Sequence, residues 1–274
     1  MSKIIFVSSF IDIGRGDWSN GYIRSNEIYF NNFLKFYSEL DINLILFCEE
    51  KTKIEIEKRI TTDFKTKITF VLTDKSQIEY FSEIENVKII QNSETFRKKI
   101  LRDTSNPPEY SNPEYVLMMY AKTEFMKKAK SLNYIDSDID TFCWIDFGIG
   151  HGHVSYINEI KNKKLRNREI KKCLFFNRQS LVPSSDPEFY FGLSDNVLIC
   201  GGVFAIPLNY VDFFYDEFKK IVNKLINSNL IDDDQTILSI FTAENKDVCE
   251  IVDSRKYLSN PHGGDWFPIF ELIE

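Results

Sequence analysis

The stretch Thr141-Phe142-Cys143-Trp144-Ile145-Asp146-Phe147-Gly148-Ile149-Gly150-His151 decides the fold. It is an apolar run that meets a carboxylate and then glycines. A continuous apolar run of this length reads as a strand buried on both faces, the kind found inside a sheet covered by helices on two sides. Upstream, Pro113-Glu114 opens a helix in which Tyr115, Met118, Met119, Lys122, Phe125, Met126 and Ala129 recur with the 3.6-residue period, proline being tolerated in the first turn. Further upstream the pattern alternates. Ile4–Phe10, Leu44–Phe47, Ile68–Leu72 and Val87–Ile90 read as strands, and Ser25–Tyr37, Glu50–Thr62 and Gln77–Glu85 read as helices. The polar segment Asp103–Pro113 holds three of the eight prolines and reads as a loop. Downstream, Leu174-Phe175-Phe176 and Val197–Ile206 read as strands, and Phe213–Leu225 and Gln235–Phe241 as helices. Strands alternating with helices predict one α/β domain over residues 1–274, with a mostly parallel central sheet and helices on both faces.

The composition agrees with a globular domain. The chain has 274 residues, 43% of them hydrophobic and 27% charged, and a formal net charge of −7. An acidic chain lacks the basic face that phosphate neutralisation demands, so nucleic acid is not an expected partner. The apolar run Val197–Leu208 is broken by Cys200-Gly201-Gly202 and Pro207, well short of the roughly 20 residues a spanning helix needs. The opening Met1-Ser2-Lys3-Ile4-Ile5-Phe6-Val7 lacks the pattern of a secretory signal and reads as a first strand. Cys48, Cys143, Cys173, Cys200 and Cys249 are scattered without a C-x-x-C pair, as expected of reduced core thiols in a cytoplasmic protein.

Several residue groups carry candidate chemistry. Asp146 stands at the carboxyl end of its strand, where open α/β sheets bind ligands, and a carboxylate there suits Mg²⁺ or Mn²⁺ against a diphosphate. A strand-terminating aspartate that only caps a turn gives the same string. The embedded Asp-Phe-Gly comes without a kinase glycine-rich loop or His-Arg-Asp motif, which excludes a kinase. Gly201 and Gly202 interrupt a strand, marking either a close approach of ligand to main chain or a tight turn. Asp232-Asp233-Asp234 opens a helix, so one carboxylate is an N-cap candidate and another is free to act on substrate. His262, in Pro261-His262-Gly263-Gly264, is a candidate metal or phosphate ligand, and His151 and His153 form an H-x-H without a third partner. Lys122 could meet a diphosphate as a point charge. The basic stretch Lys161–Lys172 reads first as a solvated face, and also as a contact for anionic headgroups at the inner membrane.

The order of these signals resembles the type A glycosyltransferase fold. More narrowly, Phe6-Val7-Ser8-Ser9-Phe10, Tyr115-Val116-Leu117-Met118-Met119-Tyr120-Ala121-Lys122 and Trp144-Ile145-Asp146-Phe147-Gly148 resemble the HtrL/YibB family of bacterial proteins, associated with surface-polysaccharide gene clusters. The resemblance implies a Rossmann-like nucleotide-sugar-binding domain, residues 1–147 serving the nucleotide and 148–274 the acceptor. It implies a sugar donor, UDP-linked in the first instance, and a glycan or lipid-linked glycan acceptor. In its terms Ser8, Ser9, Phe10, Lys122, Asp146, Gly148, Gly201, Gly202 and His262 bind the donor, Asp146 and His262 hold an Mn²⁺ or Mg²⁺ ion, and Asp234 with Asp233 supplies the catalytic carboxylate. Where the fold's Asp-x-Asp has its second aspartate, this chain has Gly148, which leaves the cation weakly anchored or replaced by Lys122. Two other classes stay open: a phosphate-handling hydrolase or nucleotidyltransferase, and a non-catalytic partner in glycan assembly.

Overall fold

The computed structural model describes residues 3–18, 22–100, 107–132, 139–149, 169–191, 198–257 and 269. In chain order these form β1 (Lys3–Phe10), α1 (Asn26–Tyr37), β2 (Asn43–Cys48), α2 (Glu50–Arg59), β3 (Lys67–Leu72), α3 (Ile84–Asn92), α4 (Glu94–Lys99), α5 (Pro108–Ser111), α6 (Pro113–Lys130) and β4 (Ile139–Ile145). β5 (Cys173–Asn177), α7 (Pro187–Phe191), β6 (Val203–Pro207), α8 (Val211–Asn227), α9 (Asp234–Glu244) and β7 (Cys249–Asp253) follow.

The strands make one seven-stranded sheet in the order β3-β2-β1-β4-β6-β5-β7. The first four are parallel, β6 runs antiparallel to both β4 and β5, and β7 is parallel to β5. The parallel majority follows the alternation of strands and helices. The reversal at β6 follows from the chain entering it through Gly201-Gly202, directly beside the end of β4: the Asp146 N–H donates to the Gly202 carbonyl at 2.9 Å.

Alternate residues of each strand serve opposite faces. Phe6, Phe10, Leu44, Leu46, Cys48, Cys143 and Ile145 pack with Phe30, Phe33, Phe36 and Tyr37 of α1 and Ile56 of α2. Val7, Ile45, Phe47, Phe142 and Trp144 pack on the other face against α6, α8 and α9. Each described cysteine is a buried free thiol, and no helix among the described residues is long and apolar enough to cross a membrane.

Three expectations are corrected. Val87–Ile90 is not a strand but the middle of α3, with Val87, Ile90 and Gln91 buried and Ile89 66% exposed. A strand would put Val87 and Ile89 on one face; the i, i+3 burial of Val87 and Ile90 is helical. Residues 77–85 are not one helix. Short 3₁₀ turns at Lys75–Gln77 and Glu79–Glu83 lead into α3, because Asp74 and Gln77 form a capping box and both carboxylate oxygens of Glu124 on α6 accept from the Glu79 N–H. The strand expected from Val197 begins only at Val203: Val197 lies outside the described residues, and Ile199 makes just an isolated bridge to Asn177. The segment 103–113 also contains the short helix α5.

The helical placement of residues 84–92 has a direct consequence. Ile89→Lys is expected to change stability by less than about 0.5 kcal/mol, and Val87→Lys to cost more than about 3 kcal/mol, because only the second buries an unpaired charge. Urea unfolding of both variants checks this, and equal losses would restore a strand.

Candidate functional site

β1 is followed by β2 and β3 on one side of it, and the chain then returns to place β4 on the other. The carboxyl ends of β1 and β4 therefore flank the point where the winding reverses, the place where open α/β sheets leave a crevice. A cleft of about 400 Å³ lies there, and its lining includes Ser9, Phe10, Asp146, Gly148, Gly201, Gly202 and Asp234.

At its base is a buried ion cluster. Asn112 caps α6 by accepting from the Tyr115 N–H at 3.0 Å, and Pro113 occupies its first turn. The helix is buried around most of its circumference, so Lys122 points into protein rather than water, its side chain only 4% exposed. Its Nζ stands 2.9 Å from Asp146 Oδ1 and 2.8 Å from Asp234 Oδ2, and donates to the Gly201 carbonyl at 2.9 Å. The ammonium thus has one carbonyl acceptor and two carboxylate oxygens in ion-pair contact. Burial alone would lower the Lys122 pKa, but the two carboxylates outweigh it and hold the group above the ordinary lysine value. Burial pushes the Asp234 carboxyl up; Lys122 opposes that shift and the Asp146 charge adds to it, leaving the group raised.

The two carboxylates differ in access. Asp146 is 35% exposed to the cleft and also accepts from the Trp144 indole N–H at 2.7 Å, while Asp234 is 3% exposed. Asp234 sits so close to Gly201 that a Cβ there would come within contact of its carboxylate. That glycine makes room for a neighbour within the protein.

The remaining candidates separate. Asp233 is the N-cap of α9, accepting from the Gln235 N–H and from Gln235 Nε2, both at 3.0 Å. Asp232 accepts from the Asp233 N–H and the Thr236 hydroxyl, and its carbonyl accepts from the Tyr120 hydroxyl at 2.7 Å, tying the start of α9 to α6. Ser8 is buried within the sheet, facing away from Ser9. Phe10 lies against Phe147 with ring centroids 4.6 Å apart, and Phe33 stacks on Phe147 at 4.3 Å. His151, His153, His262 and residues 161–168 lie outside the described residues.

Sequence reasoning missed the segment between β1 and α1. Gly14, at φ 71°, turns the chain there and its N–H donates to Asp12 at 2.9 Å. The turn delivers Asp12, Arg15, Arg24, Asn26 and Tyr29 to the cleft wall. The available signal was positional: a loop leaving the carboxyl end of the first parallel strand faces the crevice. Gln235 also lines the cleft, and its Oε1 is buried without a hydrogen-bond partner among the described residues.

Of the two residues expected to hold a cation, Asp146 is described and His262 is not. One of the Asp146 oxygens already accepts from Lys122 and Trp144, Gly148 offers no side chain, and no group of three or more His, Cys, Asp or Glu among the described residues is placed to hold a metal ion.

A family model described as "Bacterial protein of unknown function (HtrL_YibB)" matches residues 2–274. The chain is 28% identical over 280 residues to Protein HtrL of Escherichia coli (strain K12), a match covering 99% of this chain and 93% of that protein. Among solved structures, mouse xyloside xylosyltransferase 1 in its apo form is similar over 91% of this chain and 85% of its own, with 10% identity and a TM-score of 0.41.

Lys122→Met is expected to cost about 3–5 kcal/mol near neutral pH, because it strands two carboxylates around a buried site. The loss should shrink in acid. Without the ammonium that opposes its rise, Asp234 keeps a proton in the native state at pH values where the unfolded chain has lost it. The variant therefore gains stability relative to the parent as pH falls through the window above the ordinary carboxyl range. Denaturant unfolding of both proteins near pH 7.5 and near pH 5 measures this; an unchanged gap would assign the loss to packing alone.

Proposed function

The chain belongs to the HtrL_YibB family, and on that premise we propose that it is a glycosyltransferase, moving a sugar from a nucleoside-diphosphate donor to a hydroxyl of a bacterial surface glycan. The observation that carries this reading is the cleft at the switch point between β1 and β4, with Asp146 at its mouth and Asp234 at its base, both fixed by Lys122. Its volume suits a nucleotide-sized ligand rather than a polymer alone. The UDP-linked donor, the lipid-linked acceptor and peripheral contact with the inner membrane on the cytoplasmic side belong to the same proposal.

Glycosyl transfer breaks the bond between the anomeric carbon and the diphosphate oxygen and forms one to the acceptor oxygen, whose proton must leave. Held by Lys122 and the Trp144 indole, Asp146 cannot swing away, and in this reading its exposed side orients donor hydroxyls across the cleft. Asp234 is the base in an inverting course, burial raising its proton affinity above that of an ordinary carboxylate. In a retaining course it orients the donor. Gln235 Oε1, buried without a donor, is a fitting acceptor for a sugar hydroxyl. Asp233 contributes by capping α9 and so placing Asp234. The main chain at Gly202, on the cleft lining, lets the donor sugar approach the backbone, and His262 is assigned to the phosphates.

The test is product analysis with uridine, guanosine, cytidine and thymidine diphosphate sugars and a glycan acceptor. Transfer releases the nucleoside diphosphate; release of phosphate or pyrophosphate would instead mark a hydrolase or nucleotidyltransferase. Asp146→Asn is expected to lower turnover at least about 100-fold while the melting temperature stays within a few degrees, as loss of a preorganised polar contact does. Full turnover by that variant would remove Asp146 from the mechanism.

A further inference from the structure

Two guanidinium groups share one tyrosine on the cleft wall. Arg15 Nη1 donates to the Tyr29 hydroxyl at 2.9 Å, and Arg24 lies over the face of the same ring, 5.3 Å from its centroid. Arg15 is fixed further by a bond from Nε to the Tyr22 carbonyl at 3.1 Å and by the rings of Trp18 and Tyr115, at 5.3 and 5.7 Å. The Arg24 N–H donates to the Arg15 carbonyl at 3.1 Å, so the two residues are linked through main chain as well.

This pair stands beside the end of β4. A Cβ on Gly148 would lie 2.7 Å from Tyr29 Cε1 and 3.7 Å from Arg24 Nη1. The space two residues beyond Asp146 is thus filled by an aromatic ring with a cation behind it.

The charges lining the cleft are segregated rather than paired one to one. Asp146 and Asp234 share the one charge of Lys122. Asp12 is matched by Lys51 at 3.4 Å and accepts from Asn26 at 2.8 Å. Among the described residues neither Arg15 nor Arg24 is paired with a carboxylate. Two forked cations are held against aromatic rings on the cleft wall, while the carboxylates at the base and at Asp12 have ammonium partners of their own. An anion with several oxygens is the ligand that such forks match, each guanidinium being able to bind two oxygens at once.

Resting on the reading of the cleft as a nucleotide-sugar site, we infer that Arg15 and Arg24 take the donor's diphosphate and neutralise it without a divalent cation. Asp146, with Lys122 and Trp144 on one oxygen, acts on the sugar side of the leaving group. Tyr29 is a positioning residue, setting the spacing of the two forks through its hydroxyl and its ring face.

Calorimetric titration with UDP, and with inorganic pyrophosphate as a base-free probe, in EDTA and in Mn²⁺, tests this on the full chain. Binding of both probes is expected in EDTA, weakening on the order of tenfold in Arg15→Gln and again in Arg24→Gln, with partial recovery in the Lys variants that keep the charge and lose the fork. Tyr29→Phe, which removes one hydroxyl only, is expected to weaken binding about severalfold, and it keeps the test open should a Gln variant fold poorly. Binding that needs Mn²⁺ and is lost in Asp146→Asn would overturn the inference and leave the transferase reading intact. Binding in EDTA that survives both Gln variants, or no binding of either probe, would overturn it as well. Arginine-dependent binding in a protein that transfers no sugar from any donor would support it while removing the transferase reading.

Discussion

The buried ammonium of Lys122 is the constraint on which the site depends. It joins four parts of the chain that are distant in sequence: α6, which carries it; the end of β4, through Asp146; the approach to β6, through the Gly201 carbonyl; and the start of α9, through Asp234. A charge that far from water is tolerable only with opposite charge close around it, so the geometry of its partners is set together. The Asp146 N–H to Gly202 carbonyl bond and the Tyr120 hydroxyl to Asp232 carbonyl bond brace the same junction from either side. A cleft built on this base is shaped before any ligand arrives, which is what orientation of two reactants requires.

Around the mouth the constraint changes from charge to aromatic packing. Phe147 sits among Phe10, Phe30 and Phe33, with centroids 4.3 to 6.2 Å away, and Tyr29 closes the group toward the cleft. The main chain leaving β4 is thereby held against α1, and the Tyr37 hydroxyl donates to the Asp146 carbonyl at 3.3 Å. The aspartate is fixed by its side chain on one face of the sheet and by its backbone on the other.

Most of the sheet was legible because its strands are apolar at consecutive positions and end at polar loops: β1, β2, β3, β4 and β5 all follow from runs such as Leu44–Phe47 and Phe142–Ile145. Val87–Ile90 misled because three apolar residues in a four-residue stretch satisfy either period, and only the exposure of Ile89 separates them. β7 escaped because Cys249-Glu250-Ile251-Val252-Asp253 is short and carries acids, as an edge strand paired on one side can. Of the site, Asp146, Lys122 and Asp234 were found as separate signals, but their union was not readable, since it depends on the end of β4 and the start of α9 closing on one lysine of α6. The lysine read as a charge for phosphate is already occupied by carboxylates in the fold. The arginines went unnoticed because a loop has no periodicity, and a residue's value there is set by which end of the sheet it leaves.

Gly201 owes its identity to the carboxylate it touches, since its backbone lies outside the left-handed region where glycine is favoured. Positions 201 and 234 therefore form one unit of variation. A side chain can enter at 201 only if the acid at 234 shortens or leaves, and its departure removes half of the charge that keeps Lys122 ionised. The path from this site to a different one cannot pass through single substitutions at its base; it has to begin at the mouth, among the loop residues before α1, where a change leaves the lysine and its partners in place. Divergence within this architecture is channelled toward ligand contacts and away from the buried cluster.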